Sequence, residues 1–344
     1  MSNIKIGVVG AGAVGGVIAT LLTEKGYDVE VVFNGKNEFI MDNYVSFDVI
    51  GEFGEHSQLV KAVNSVEKFS EKKDIIFITT RANAVASCAK LCAPYLKDEG
   101  IVVLAGNVLV HQDAKQYIPL HKVISMFVEW SAERINKTKV DVLISGKIKI
   151  GVFDKTASPF LKIAKALLDN ISTTQIIENM PEFMISRIVM NSTIASIGAI
   201  SGLRLGRILE RKNGKKLFYN LIKESVNVFE NLNINIPNYL GKLNYYKFCG
   251  NSFSNKLYAK KMMKLIGKNN PYLISSILKD IDNNKKSEID YLTGKICRLA
   301  NVKNVKTPYS SRIYTMIKQI ENGERTIYEE NIDELVKAVK KEII

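Results

Sequence analysis

The stretch Ile4-Lys5-Ile6-Gly7-Val8-Val9-Gly10-Ala11-Gly12-Ala13-Val14-Gly15-Gly16 decides how this chain is read. Its apolar run from Ile6 to Val9 predicts a buried parallel strand. Gly10, Gly12 and Gly15 follow at GxGxxG spacing, and Val14, Val17, Ile18, Leu21 and Leu22 then recur with helical period. In a strand–turn–helix context Gly10 permits the tight turn and Gly12 lets backbone approach a pyrophosphate. Gly15 allows close helix–strand packing, while the helix N-terminus faces the phosphate charge. Gly10, Gly12, Ala13, Val14 and Gly15 are therefore the expected cofactor contacts. The plainer alternative is a tight βα turn that binds nothing.

Outward from this stretch, 344 residues allow two domains. A hydrophobic share of 46% with mean hydropathy +0.00 suits a soluble globular protein. Apolar runs such as residues 75–78 and 101–105 are far shorter than a membrane span. The N-terminus shows no basic leader, since its apolar run leads straight into glycines and reads as a first strand. Cys88, Cys92, Cys249 and Cys297 form no disulfide framework and no zinc spacing. Reduced thiols and a cytoplasmic location are the expectation, with no metal.

The net charge of +13 is unevenly placed. Residues 1–175 hold 20 Lys+Arg against 19 Asp+Glu, whereas residues 176–344 hold 28 against 16. The basic residues of the second half are scattered through helical patterns rather than interleaved with aromatics on a strand. They fit attraction of small anionic ligands better than nucleic-acid binding. Neither nucleic acid nor membrane is an expected partner.

Up to about residue 175, strand-like and helix-like segments alternate. Strands are expected at 4–9, 28–33, 74–80, 101–105, 122–127 and 147–152, with helical patterns at 14–25 and 83–96. Such alternation predicts βαβ units and a doubly wound parallel sheet, a Rossmann-type domain over 1–175. Residues 140–152 read as a closing antiparallel hairpin turning at Ser145-Gly146. From 176 to 344 helical periodicity prevails, at 182–197, 206–233, 253–266, 270–299, 308–321 and 329–342. That half is expected to be an all-helical substrate or dimerisation domain.

In a dinucleotide fold, an acid at the tip of the second strand bonds the ribose 2′-hydroxyl, and a basic residue there accommodates a 2′-phosphate. Here the strand ends Val31-Val32-Phe33-Asn34-Gly35-Lys36, without an acid. Glu30 lies too early and alternates to another face. An acid-free tip with Lys36 at hand favours NADPH over NADH, although Lys36 also reads as a solvated loop lysine.

All three histidines, His56, His111 and His121, fall in the first half. A proton donor from the helical half must therefore be Lys, Tyr, Asp, Glu or a water they hold. Two segments stand out there. In Arg187-Ile188-Val189-Met190-Asn191-Ser192 the arginine and asparagine share a helix face at i, i+4. In Lys286-Ser287-Glu288-Ile289-Asp290-Tyr291-Leu292-Thr293-Gly294, Glu288 falls one turn before Leu292. Each of these residues also has a plain reading as helix-surface hydrogen bonding.

Together with Ile78-Thr79-Thr80-Arg81 and Ser275-Ser276-Ile277-Leu278-Lys279-Asp280, these segments resemble the ketopantoate reductase (2-dehydropantoate 2-reductase) family over nearly the whole chain, to about Pro308. The resemblance implies a Rossmann domain, a helical domain of the 6-phosphogluconate-dehydrogenase type, a cleft between them, and NADPH-dependent reduction of ketopantoate to pantoate, a step toward coenzyme A. It places Arg81 near the cofactor and Asn107 in the nicotinamide-side loop, contacting cofactor and substrate. Arg187 occupies the place of the family's proton-donating lysine. Asn191, Ser276 and Glu288 match pocket residues, with Glu288 orienting substrate and cation. A small anionic substrate is the expected partner, and a homodimer is compatible with the resemblance.

The chain departs from the family in four places. The asparagine of Ala105-Gly106-Asn107 is displaced by one residue, and Ala195 replaces a second pocket asparagine. Met126-Phe127-Val128-Glu129-Trp130-Ser131 is bulkier than the family's Thr-rich stretch, which suggests a reshaped pocket. Most important, a guanidinium stays charged and cannot donate a proton as an ammonium does. Two other readings share these features: a non-catalytic NADP-binding protein on the same fold, and an opine-type reductase joining a 2-oxo acid to an amine.

Overall fold

The computed structural model describes residues 4–33, 42–106 and 108–343, and it divides into two compact units, Met1–Pro181 and Glu182–Ile344. The division falls inside a helix, just beyond the expected 175/176 boundary. Lys36 and Asn107 lie outside the described residues.

The first unit runs β1 (Lys5–Val9), α1 (Ala13–Glu24), β2 (Asp28–Val32), β3 (Tyr44–Gly51), β4 (His56–Val63), β5 (Lys73–Ile78), α2 (Val85–Cys92) and β6 (Leu96–Ala105). It continues through α3 (His111–Ala114), β7 (Val123–Val128), β8 (Ser131–Arg134), β9 (Lys139–Ile144), β10 (Ile148–Val152), α4 (Ser158–Leu168) and β11 (Thr174–Ile176). The strand order is β11-β10-β7-β6-β5-β1-β2-β4-β3-β9-β8. Every neighbour pair from β7 to β4 is parallel, which is the doubly wound arrangement. Strands such as β1 and β5 read as unbroken apolar runs because both sheet faces are covered: Ile6, Val8, Ile76, Phe77 and Ile78 are fully buried.

The expected hairpin over 140–152 is not formed. β9 and β10 do not pair with each other; β9 lies between β3 and β8, and β10 between β7 and β11. The true hairpin is longer. β7 with β8 forms one bent arm, β10 with β9 the other, paired antiparallel at both ends. Its turn is at Asn136, whose Oδ1 accepts the Thr138 and Lys139 N–H groups at 2.9 and 2.8 Å. Ser145-Gly146 is instead the bend. A Cβ on Gly146 would lie 2.6 Å from the Glu129 carbonyl carbon, so the two arms can cross closely only at glycine. The bent hairpin leaves one edge of the sheet and joins β3 on the other. It passes over α1, where Val140 would touch a Cβ on Gly16 at 3.1 Å. The bulk of 126–131 is spent in this unit's core, where Met126 and Trp130 are 1% and 5% exposed and Trp130 meets Phe53 edge-on. There it packs the arm.

The second unit holds most of α5 (Met180–Ser201), then α6 (Leu205–Glu210), α7 (Lys212–Asn231), α8 (Tyr245–Cys249), α9 (Phe253–Asn269), α10 (Ser276–Asp282), α11 (Thr293–Val302), α12 (Pro308–Glu321) and α13 (Asn331–Ile343). α5 is long and apolar enough to cross a membrane, but 78% of its apolar window is buried within the protein, as in a core helix. Two expected helices are broken. The 206–233 pattern is interrupted by extended backbone at Arg211 (φ −75, ψ 141). Residues 270–299 form α10, a loop with left-handed Asn284 (φ 53), one 3₁₀ turn and α11. The Ser275 hydroxyl caps α10 by accepting the Leu278 N–H at 3.1 Å, starting a helix where periodicity alone would run through.

Two ion pairs make the first unit's packing testable. Glu30 and Lys73, 2.5 Å apart with side chains 7% and 3% exposed, neutralise each other under the sheet. Glu30→Gln strands the lysine and is expected to cost about 3–5 kcal/mol in denaturant unfolding. His56 bonds Glu24 at 2.9 Å and the Phe53 carbonyl at 2.8 Å, and chiefly the Glu24 carboxylate raises its pKa above 6.5. This stabilisation is complete below about pH 6.5 and is lost as pH rises through the raised folded-state value. The melting temperature should decline across that window in the wild type, and the decline should flatten in His56→Gln.

Candidate functional site

In the first unit the site is built from strand ends. β1 is flanked by β2 and β5, the point where strand order reverses. A cavity of about 550 Å³ opens there, lined by Val9-Gly10-Ala11-Gly12, by Val32 and Phe33, by residues 64–67, and by Thr79, Thr80 and Arg81. All lie at or just beyond the C-terminal ends of β1, β2, β4 and β5. The glycines divide the work. Gly10 takes φ +109 and its carbonyl accepts the Thr79 hydroxyl at 2.6 Å and the Gly12 N–H at 2.8 Å. A Cβ on Gly15 would lie 2.0 Å from the Gly10 carbonyl oxygen, so helix and turn touch there. A Cβ on Gly12 would meet nothing within 4 Å: that backbone is bare toward open space.

Ala13 and Val14 open α1, which begins with no side-chain cap and no acid in its first turn. The N–H groups of a first helical turn have no intrahelical acceptor, so this end presents donors and partial positive charge. Glu30 does not face the cavity; it is held by Lys73 and by the Ser70 N–H and hydroxyl, both at 3.1 Å. Arg81 is exposed at the rim, N-capping the turn after β5. Arg134, from the hairpin tip, also lines the cavity and donates to the Ala11 carbonyl at 3.2 Å. No local pattern in the sequence singles out Arg134, because the arm that delivers it is a tertiary feature.

In the second unit Arg187 and Asn191 are half-buried on α5 at i, i+4. The Arg187 guanidinium lies over the rings of Tyr239 at 5.6 Å and Phe183 at 6.0 Å, within cation–π distance of both. Beside it, the buried Tyr245 hydroxyl donates to the Ser186 carbonyl at 2.6 Å. Burial raises that phenol's pKa well above its ordinary value, so Tyr245 is an anchor rather than an acid. The other two motifs are fastened one turn along from Asn191. The Ser275 hydroxyl donates to the Ala195 carbonyl at 2.6 Å, and the Thr293 and Ser196 hydroxyls share a 2.6 Å bond. Ser276 is exposed at the start of α10, while Ser275 is the buried fastener.

Within Ser287–Gly294 most side chains are also fasteners. Ser287 donates to Glu321 at 2.6 Å, and Asp290 accepts from Tyr314 at 2.7 Å. Burial opposes ionisation of Asp290, but Tyr314 and Lys318 hold its carboxyl below the usual range. A Cβ on Gly294 would lie 2.8 Å from the Tyr314 ring. Glu288 is half-buried at the head of the 3₁₀ turn. The four cysteines are free, and burial raises every thiol above its ordinary value. Among the described residues no cluster of His, Cys, Asp and Glu could hold a metal ion.

Comparison with known proteins bears on both units. Residues 6–155 match the family model described as Ketopantoate reductase PanE/ApbA, and residues 179–321 match its C-terminal counterpart. The 2-dehydropantoate 2-reductase of Aquifex aeolicus is 23% identical over 322 residues, covering 90% of this chain and 95% of its own. That of Pyrococcus horikoshii is 22% identical over 330 residues, covering 92% and 98%. Among solved structures, a PanE/ApbA family ketopantoate reductase from Ralstonia eutropha superposes with TM-score 0.76 at 17% identity, over 94% of this chain and 100% of the other. D-mandelate dehydrogenase, solved in a ternary structure with NADH and anilino(oxo)acetate, gives the same four figures. With both models matched across most of its length, the chain belongs to the ketopantoate reductase family of oxidoreductases.

Proposed function

We propose that this chain reduces a small 2-oxo acid, ketopantoate or a close relative, with NADPH. The observation that carries the reading is the bare Gly12 backbone at an uncapped helix N-terminus, at the reversal point of a doubly wound sheet. The residues present fit a dinucleotide. Gly10, Gly12, Ala13, Val14 and Gly15 would cradle its diphosphate, with Arg81 at the rim. The choice of NADPH is supported by Glu30 being occupied elsewhere, which leaves β2 and Phe33, among the described residues, without an acid free for a ribose 2′-hydroxyl.

The nicotinamide ring supplies the hydride when the cofactor is bound. On the protein's side, Arg187 polarises the substrate carbonyl and stabilises the developing alkoxide by charge, while water delivers the proton. Asn191, Ser276 and Glu288 orient the substrate, and Asn107 is assigned to the nicotinamide side by the resemblance alone. The excess of cations in residues 176–344 favours an anionic substrate.

Three measurements test this. NADPH oxidation should appear with ketopantoate or another member of a 2-oxo acid panel; tight NADPH binding without substrate-dependent oxidation would assign a non-catalytic binding role instead. Arg187→Ala should lower kcat by about 10²–10³ while leaving NADPH affinity nearly unchanged, and an unaltered kcat would reject its role. Gly12→Ala has room in the free protein, so its unfolding midpoint should match the wild type within about 1 kcal/mol. Its NADPH affinity should nevertheless fall, because the new methyl occupies the approach to the turn.

A further inference from the structure

Arg134 sits at the end of a structure that looks extravagant for packing alone. The hairpin crosses from one sheet edge to the other, passes over α1 through Val140, and pairs Arg134 with that same Val140. Its tip is fixed by the Asn136 side chain, and the Asn136 carbonyl accepts the Arg134 Nε–H at 3.0 Å. The guanidinium is thereby aimed at the glycine-rich turn, where it donates to the Ala11 carbonyl at 3.2 Å.

Both of its partners are neutral carbonyls. Among the described residues no carboxylate pairs with Arg134, and three of a guanidinium's five N–H donors remain available. A full positive charge therefore stands beside the positive end of α1, which has no acid in its first turn. Cations are stabilised at helix C-termini and disfavoured at N-termini. The arrangement becomes favourable only when an anion lies between the two, and a planar fork suits a phosphate's paired oxygens.

We infer that Arg134 is a ligand for the diphosphate of the bound dinucleotide, delivered across the sheet by the hairpin arm. The inference rests on the dinucleotide reading above. It assigns Arg134 to the diphosphate shared by NADH and NADPH, not to the 2′-phosphate that distinguishes them.

The test is titration of the full chain with NADPH and with NADH, comparing wild type, Arg134→Ala and Arg134→Gln. Glutamine keeps a donor for the Ala11 carbonyl while removing the charge, so it isolates the ionic role if alanine disturbs the fold. Both cofactors should bind about 10- to 100-fold more weakly to Arg134→Gln, by the same factor, with melting of the free protein unchanged. Affinity should also fall less steeply with added salt than in the wild type. Unchanged affinities in a variant of a wild type that binds would make Arg134 a brace for the arm and overturn the inference alone. Weakening confined to NADPH would overturn the diphosphate assignment in favour of the 2′-phosphate. A wild type that binds neither cofactor would overturn the dinucleotide reading itself, and this inference with it.

Discussion

The structure of the first unit depends on one contact, between the Gly15 Cα and the Gly10 carbonyl. A methyl group at position 15 would sit 2.0 Å from that oxygen and 2.5 Å from the Thr79 hydroxyl. Its absence lets α1 start directly against the turn, and that start fixes the direction of the helix over the sheet. The Thr79 hydroxyl bonds the same carbonyl, so the end of β5 is tied to the end of β1 at one atom. The cavity lies beside this knot because the strands whose ends surround it are held in register there. A fold can form such a junction without binding anything. What leaves it open to a ligand is Gly12, where nothing among the described residues lies within 4 Å of the place a Cβ would occupy.

The hairpin arm adds a second constraint of a different kind. Local chemistry makes its turn at Asn136, but its course depends on Gly146 letting two backbones cross and on β3 presenting an edge to β9. Trp130 and Met126 then bury bulk that would otherwise face solvent. The result clamps α1 between sheet and arm. The helix start and the residue above it, Arg134, are thus placed by separate parts of the chain that reach the same turn from opposite sides.

How far this was legible follows from the range of each determinant. The strands β1 and β5 announce themselves as apolar runs, and the glycine spacing places the helix start to within a residue. β3 and β4 are less legible because they alternate rather than run: in β3, Val45, Phe47 and Val49 point inward between exposed or half-buried neighbours. Period two was the available signal. The Ser145-Gly146 reading failed for a physical reason, since a glycine between apolar strands marks either a turn or a close backbone crossing. Only the pairing partners distinguish the two. Likewise apolar positions continue at helical spacing through 270–299, while Ser275 and Asn284 end and restart the chain's direction with side-chain caps and a left-handed residue. Arg134 carried no local mark at all.

In the helical unit, the residues that make the motifs recognisable are mostly fasteners. Ser275 ties α10 to Ala195, Thr293 ties α11 to Ser196, and Ser287, Asp290 and Gly294 accommodate Glu321 and Tyr314 of α12. These contacts fix the packing of α10, α11 and α12 in this unit. Under the proposed reading, substrate chemistry rests on the few side chains left over, Arg187, Asn191, Ser276 and Glu288. Among them only Arg187 carries a permanent positive charge, and it lies within cation–π distance of the Phe183 and Tyr239 rings. Such a group suits electrostatic stabilisation and is unsuited to proton transfer. On the proposed function, the chemistry therefore divides into two tasks that a lysine would combine, charge from the protein and the proton from water.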